Sequence, residues 1–273
     1  MLRAMLFGMA AVAALYALVL ALLWFGQERL LFQPERLPAE HRLATAPDIE
    51  ERFIDVPGAR LSALHLRLPS PDGVVFFLHG NAGSLAGWFA NADFYRRANF
   101  DLFMIDYRGY GKSSGRIESE AQLHADARAA WQAIEALYRG KRRVVLGRSL
   151  GSGLAAALAA DVQPEATVLV SPYVSMVALA AEHYRWVPSA VLRYPLRTDL
   201  VLPRVRGPVL LAHGSRDDLI PPTHSRRLAT LQPRAQVLLV PEGGHNDLHQ
   251  HAAYLDGLRE FLRALPAPVQ APG

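Results

Sequence analysis

The sequence predicts an α/β domain built on a mostly parallel, twisted sheet of about eight strands with helices on both faces. Three observations carry this. Two alternating segments, Arg52–Val56 and Leu61–Leu66, flank a Pro57-Gly58 turn and read as one hairpin. After them, short continuous apolar runs alternate with segments of helical period, the pattern of parallel strands covered on both faces. Finally, the residues able to do chemistry stand just past the ends of those runs, where open parallel sheets gather their ligands.

The chain opens with Ala4–Phe25, a run of Ala, Leu, Val, Met and aromatic residues without a charge. As a helix it extends ~33 Å, enough for a hydrocarbon core of roughly 30 Å. A cleaved signal peptide is the rival reading. The run exceeds the usual signal-peptide core, however, and Leu23-Trp24-Phe25-Gly26 offers a poor small-residue cleavage site. Trp24 and Phe25 suit an aromatic anchor at the interface instead. Residues 1–26 are therefore expected to form one uncleaved membrane anchor, with contact to the bilayer through residues 4–25. Residues 27–48 carry Pro34, Pro38 and Pro47 and no clear period, and read as a tether. Arg3 lies on one side of the span and Arg29, Arg36 and Arg42 on the other, so basic residues alone favour a cytoplasmic C-terminal domain.

Residues 49–266 are expected to form the α/β domain. Its hairpin is followed by strands at Val74–Leu78, Leu102–Ile105, Val144–Leu146, Ala166–Val170, Val209–Ala212 and Val237–Val240. Helices are expected at Ser84–Phe94, over Glu118–Tyr138, after Gly151, and at Tyr254–Leu265. The longest places Leu123, Ala127, Ala130, Trp131, Ile134 and Leu137 on one stripe. Between Pro172 and Pro208 no strand pattern occurs, and Met176, Leu179, Tyr184, Trp186, Val191 and Leu192 suggest a short helical cap over about 172–207. The Pro-containing end, 267–273, reads as a flexible tail.

Composition bounds the chemistry. The chain has no cysteine, which excludes disulfides and cysteine-rich zinc sites. The formal net charge is +4, and apart from Lys112 and Lys141 the basic residues are scattered arginines. No aromatic-interleaved basic surface emerges, so nucleic acid is not an expected partner. Ser113-Ser114-Gly115 lacks the spacing of a phosphate-binding loop.

The centre of the chain is Val144–Leu146 followed by Gly147-Arg148-Ser149-Leu150-Gly151 and an Ala/Leu-rich helix. G-x-S-x-G between a strand and a helix is the pattern of a nucleophile elbow. The turn is so sharp that its flanking positions must be small, and Ser149 would stand at a helix N-terminus that favours developing negative charge. A serine hydroxyl is a weak nucleophile near neutral pH. It needs a base within hydrogen-bond reach and a carboxylate to orient that base. Past the strand at Val209–Ala212 stand Asp217 and Asp218; past Val237–Val240 stands His245 in a Gly-rich loop. Ser, Asp, His is the chain order this scaffold requires.

Five motifs in this order, H-G-N-A-G from His79, D-Y-R-G-Y-G-x-S-x-G from Asp106, G-R-S-L-G-S-G from Gly147, H-G-S-R-D-D-L-I-P from His213 and G-G-H-N-D from Gly243, span the domain. On these motifs the chain resembles the α/β hydrolases, in particular the small membrane-anchored serine hydrolases that include depalmitoylases and monoacylglycerol-type lipases. The resemblance implies Ser149 as nucleophile, His245 as base and Asp217, rather than Asp218, as acid. An acyl oxyanion needs two preorganised N–H donors. Leu150, after the nucleophile, supplies one, and by resemblance Asn81 supplies the other, with Ala82 as the alternative. His79 and His213 read as structural, and Asp106 and Arg108 as pins of the loop after their strand. With His245 assigned as base, His249 and His251 do not complete a metal site, and neither metal nor cofactor is expected.

These residues imply cleavage of a carboxylic ester or thioester, with an acyl chain or other small molecule as substrate partner. A serine peptidase would use the same triad, and a non-catalytic binding protein would share the fold. The resemblance also implies a catalytic domain on the non-cytoplasmic side of the membrane, opposing the arginine count, and that is the expectation adopted.

Overall fold

The computed structural model describes residues 1–266; the tail at 267–273 lies outside the described residues. Eight strands form the central sheet: β1 (Ile49–Val56), β2 (Ala59–Leu66), β3 (Gly73–Leu78), β4 (Phe100–Ile105), β5 (Arg142–Arg148), β6 (Ala166–Val170), β7 (Val209–Gly214) and β8 (Ala235–Val240). Their spatial order is β1-β2-β4-β3-β5-β6-β7-β8. β2 pairs antiparallel with both β1 and β4, and every other neighbouring pair is parallel.

Among the described residues, seven helices of seven residues or more accompany the sheet: α1 (Leu2–Leu31), α2 (Ala92–Ala98), α3 (Glu120–Glu135), α4 (Leu150–Val162), α5 (Met176–His183), α6 (Thr223–Leu231) and α7 (Ala252–Ala264). Side chains alternate across β3. Val74, Phe76 and Leu78 join the core beneath α3 and α4, whereas Val75 joins the core beneath α2 and α7. On the first face Trp131 of α3 meets Phe76 edge-on, with ring centroids 5.7 Å apart. Both faces of the central strands are thus dry, which explains why their apolar runs are continuous rather than alternating.

Several elements depart from the sequence expectation. The stretch at 84–94 is a short turn of helix at Leu85–Trp88, a 3-10 turn at Phe89–Asn91, and only then α2. α3 ends at Glu135 and tightens into a 3-10 turn, Ala136–Tyr138. That change of pitch turns Tyr138 inward and leaves Leu137, expected on the buried stripe, exposed. α6 carried too few apolar residues to announce itself; of its nine residues the structure buries His224, Ser225 and Leu228.

The N-terminal region differs most. α1 is 30 residues long and continues to Leu31, past the expected end of the anchor at residue 26. Its apolar stretch is unburied by the protein, and the helix is long and apolar enough to cross a membrane. The following segment, read as a tether, lies against the domain. Gln33–Pro34 pairs in parallel with Ala82–Gly83, and Arg36 bridges Gly111. The end of α1 is clasped by the cap. Gln27, itself buried, donates from Nε2 to the Val191 carbonyl (2.9 Å) and accepts from the Arg193 N–H (2.8 Å). Glu28 pairs with Arg193 at 2.5 Å and accepts from the Tyr194 hydroxyl at 2.9 Å. Further down the helix, the Tyr16 hydroxyl donates to the Trp186 carbonyl at 2.8 Å. The cap itself is α5, N-capped by Ser175 Oγ accepting from Ala178 N–H, followed by short turns at Ser189–Val191, Thr198–Val201 and Leu202–Arg204.

Candidate active site

Ser149 sits where β5 hands over to α4, with φ 52° and ψ −121°. That is unfavourable ground for a residue with a Cβ, and the surroundings enforce it. A Cβ on Gly147 would stand 2.3 Å from the Gly151 carbonyl oxygen, and one on Gly151 would stand 2.2 Å from the Leu78 carbonyl oxygen. The elbow is therefore pressed between its own first helical turn and the end of β3, and no larger residue fits either position. Ser152 Oγ donates to the Ser149 carbonyl at 2.7 Å, and the Ser149 N–H donates to Val170 at 2.9 Å, so the turn is bolted on both sides.

The loops after β7 and β8 cross closely. A Cβ on Gly214 would lie 2.2 Å from the Gly243 carbonyl oxygen, and that carbonyl accepts the Arg216 N–H at 2.8 Å. This contact brings Asp217 to His245. His245 Nδ1 lies 2.8 Å from Asp217 Oδ2, and His245 Nε2 lies 2.9 Å from Ser149 Oγ. The arrangement fixes the tautomer: Nδ1–H donates to the carboxylate, leaving Nε2 to accept the serine proton. All three side chains are buried, whereas Asp218 is exposed.

Burial opposes the charge on Asp217, but hydrogen bonds from His213, His245 and the Ile220 N–H outweigh it and hold the carboxyl well below the usual carboxylate range. Its Oδ1 accepts from Ile220 N–H at 2.8 Å. His213, read as a structural histidine, is fully buried: Nδ1 lies 2.7 Å from Ser225 Oγ, and Nε2 lies 2.7 Å from the Ile220 carbonyl and 3.3 Å from Asp217 Oδ2. It braces the carboxylate from behind.

Leu150 is the first residue of α4, so its N–H has no partner four residues back. Across from it the loop 79–83 is held peptide by peptide. Tyr107 OH donates to the His79 carbonyl (2.7 Å), and His79 Nδ1 lies 2.7 Å from the Gly80 carbonyl. The Asn81 carbonyl accepts from both Gln33 N–H (2.9 Å) and Tyr110 OH (2.6 Å), and the Ala82 carbonyl accepts from Trp88 Nε1 (2.7 Å). Because a trans peptide sets its N–H opposite its C=O, fixing the Gly80 carbonyl also fixes the direction of the Asn81 N–H. A Cβ on Gly80 would lie 3.7 Å from Ser149 Cβ, which puts this loop directly beside the elbow. Desolvation lowers the His79 pKa to about 4, so the ring is neutral and donates a single proton to Gly80.

Asp106 and Arg108 do pin loops, though not only their own. Asp106 Oδ1 accepts from the Leu85 N–H at 2.9 Å, and Arg108 forks onto Asp126 of α3 (2.6 and 2.8 Å) while donating to the Pro57 carbonyl (2.9 Å). His249 turns towards Arg148 and His251 towards Asp247. Sequence reasoning passed over Arg148, the variable position of G-x-S-x-G. Its guanidinium lies over the Trp88 ring and donates to the His245 carbonyl at 2.9 Å, linking the elbow to the loop that carries His245. A charged residue inside an otherwise apolar strand-to-helix junction was the available signal.

Comparison with known proteins agrees with this architecture. The profile of the family described as "Serine aminopeptidase, S33" matches residues 69–197. An uncharacterised protein of Mycobacterium tuberculosis is 34% identical over 93% of both chains. Alpha/beta hydrolase domain-containing protein 17B of Xenopus laevis is 32% identical, covering 75% of this chain and 72% of that protein. Among solved structures, an esterase of Pyrococcus furiosus superposes with a TM-score of 0.68 at 18% identity, covering 86% of this chain and 98% of that one. The sheet order, the elbow and these relatives lead to one conclusion: the chain belongs to the α/β-hydrolase superfamily.

Proposed function

We propose that this hydrolase is a membrane-anchored serine esterase or thioesterase working through an acyl-enzyme. The observation that carries the proposal is the unbroken chain Ser149 Oγ, His245 Nε2, His245 Nδ1, Asp217 Oδ2, with links of 2.9 and 2.8 Å, at a strained elbow. Ser149 Oγ attacks the carbonyl carbon as His245 Nε2 takes its proton. The resulting oxyanion is held by the N–H groups of Leu150 and Asn81. His245, now an imidazolium stabilised by Asp217, protonates the leaving oxygen or sulfur, and the C–O or C–S bond breaks. Water then attacks the acyl-enzyme with His245 as base, releasing the acid and restoring Ser149.

An apolar acyl group is the substrate class favoured. A groove of about 540 Å³ runs between the last turns of α1 and the cap, lined by Leu23, Leu30, Met176, Leu179, Val191 and Leu219 among others. Leu219, one of its lining residues, stands two residues beyond Asp217 in the sequence. Retention of the anchor is supported by Gln27 and Glu28, whose bonds to the cap would be lost or displaced by cleavage near residue 26. We assign the catalytic domain to the non-cytoplasmic side on the strength of the resemblance.

A fluorophosphonate probe should label the full chain and fail to label Ser149→Ala. p-Nitrophenyl esters from acetate to palmitate should be cleaved, with preference rising with acyl length; labelling without any esterase activity would overturn the ester assignment. The aminopeptidase description of the matching family profile keeps a peptidase in view, and turnover of aminoacyl p-nitroanilides in preference to esters would favour it.

A further inference from the structure

The strand that follows the membrane helix is bonded to the loop beside the nucleophile. Directly after Phe32, Gln33–Pro34 pairs in parallel with Ala82–Gly83. Gln33 N–H donates to the Asn81 carbonyl (2.9 Å) and Glu35 N–H to the Gly83 carbonyl (3.0 Å). Ser84 Oγ donates to Glu35 Oε2 (2.8 Å), and the Glu35 carbonyl accepts from the Gly111 N–H (2.8 Å). On its other side the strap is rooted. Phe32 is buried edge-on to Tyr194, 5.1 Å between centroids, and the preceding turn of α1 is clasped by Arg193 and Val191.

We propose that Gln33–Glu35 is a positioning element for the oxyanion loop, so that the seating of the anchor helix sets the catalytic competence of Ser149. This rests on the acyl-enzyme reading and on Asn81 as an oxyanion donor. The physical argument concerns peptide planes. His79 fixes the peptide on the N-terminal side of Asn81, but the one on its C-terminal side has two ties: Tyr110 OH and Gln33 N–H. Tyr110 approaches from the domain and Gln33 from the strap. Without Gln33 that peptide keeps one hinge-like tie and can rotate about it, carrying with it the Ala82 N–H, the alternative donor, and loosening the Asn81 N–H. Oxyanion donors stabilise only when preset, and a displacement of about 1 Å can cost about 100-fold in rate.

The strap is not a substrate contact, so the test must separate positioning from folding. In the full chain, Gln33→Pro deletes the N–H that reaches Asn81, and Ser84→Ala cuts only the side-chain tie to Glu35 while leaving the strap's backbone intact. For Gln33→Pro, kcat on p-nitrophenyl acetate should fall about 10- to 100-fold with KM changed less than about threefold. Affinity for an alkyl trifluoromethyl ketone, whose tetrahedral adduct places an oxyanion in the hole, should fall in parallel. Ser84→Ala should show the same split at roughly 3- to 10-fold, and decides the matter should Gln33→Pro not fold. A purely structural strap would lower the melting temperature while leaving kcat and ketone affinity of the folded enzyme unchanged, and that result overturns the proposal. A fall in kcat with undiminished ketone affinity overturns it equally. A native chain that neither hydrolyses the ester nor binds the ketone would instead overturn the acyl-enzyme reading itself.

Discussion

The backbone at Ser149 makes a prediction that is independent of any substrate. At φ 52° and ψ −121° a residue bearing a Cβ is strained, at a cost of about 1–3 kcal/mol. Replacing Ser149 with Ala keeps the Cβ and the strain; replacing it with Gly removes both. The two variants lose the same hydrogen bond from Oγ to His245, so the difference between them isolates the backbone. Glycine gives back roughly 0.5–1 kcal/mol because its unfolded chain has more freedom. The net expectation is that Ser149→Gly is more stable than Ser149→Ala by up to about 2.5 kcal/mol, centred near ~1 kcal/mol. For a domain of this size the central value corresponds to about 2–4 °C in melting temperature. Thermal unfolding of both full-length variants in the same detergent, followed by circular dichroism, measures it. Should the Ala variant melt above the Gly variant, the strain assigned to the backbone at Ser149 is refuted.

Asp217→Asn should lower kcat about 10³- to 10⁴-fold by disturbing the histidine tautomer, whereas Asp218→Asn, at an exposed position, should change it by less than about twofold; ester hydrolysis with both variants checks this. Burial, with a smaller contribution from Glu35, raises the Asp106 pKa to about 7. A carboxyl whose folded pKa is raised contributes stability that is complete below its unfolded value of about 4 and is lost as the pH rises through about 7. Asp106→Asn should therefore gain melting temperature relative to the native chain between about pH 5 and pH 8.5, and a difference that stays flat across that range would contradict the assignment. Asp217 has the opposite sign: its lowered pKa gives stability present above about pH 4 and lost on acidification. Because the chain contains no cysteine, a single Asp55→Cys at a nearly fully exposed side chain reports sidedness. An impermeant maleimide should label it in intact cells, and labelling only after lysis would place the domain in the cytoplasm.

Much of this fold was legible because its signals are local. Six of the eight strands announce themselves as apolar runs and the first two as an alternating hairpin. The elbow shows in the sequence because a sharp turn tolerates only small neighbours, and the structure gives Gly147 and Gly151 contacts that no Cβ survives. The choice of Asp217 over Asp218 was not local. It follows from the crossing of the β7 and β8 loops at Gly214, which turns one carboxylate inward and leaves its neighbour in water. The role of Arg148 was hidden for the same reason: its partner, the His245 carbonyl, lies 97 residues away. The segment after α1 was misleading, since proline suggests a loose connection. Here Pro34 lies in a two-residue edge strand whose neighbours Gln33 and Glu35 supply the N–H donors.

The contact between Tyr16 and the Trp186 carbonyl would set the depth of the cap in the proposed membrane-anchored state. Tyr16 precedes Gln27 by eleven residues, so the tip of the cap rides ~16 Å down the helix from the point where Gln27 is clasped. For a chain held in a bilayer by α1 with Trp24 at the interface, Tyr16 would lie ~12 Å below that interface, so the exposed Trp186 beside it would meet acyl tails. Such an enzyme would meet its substrate by lateral diffusion within a leaflet instead of collision from water. Its rate would then follow the mole fraction of substrate in the surface, falling on dilution with inert lipid even when the bulk concentration is held constant.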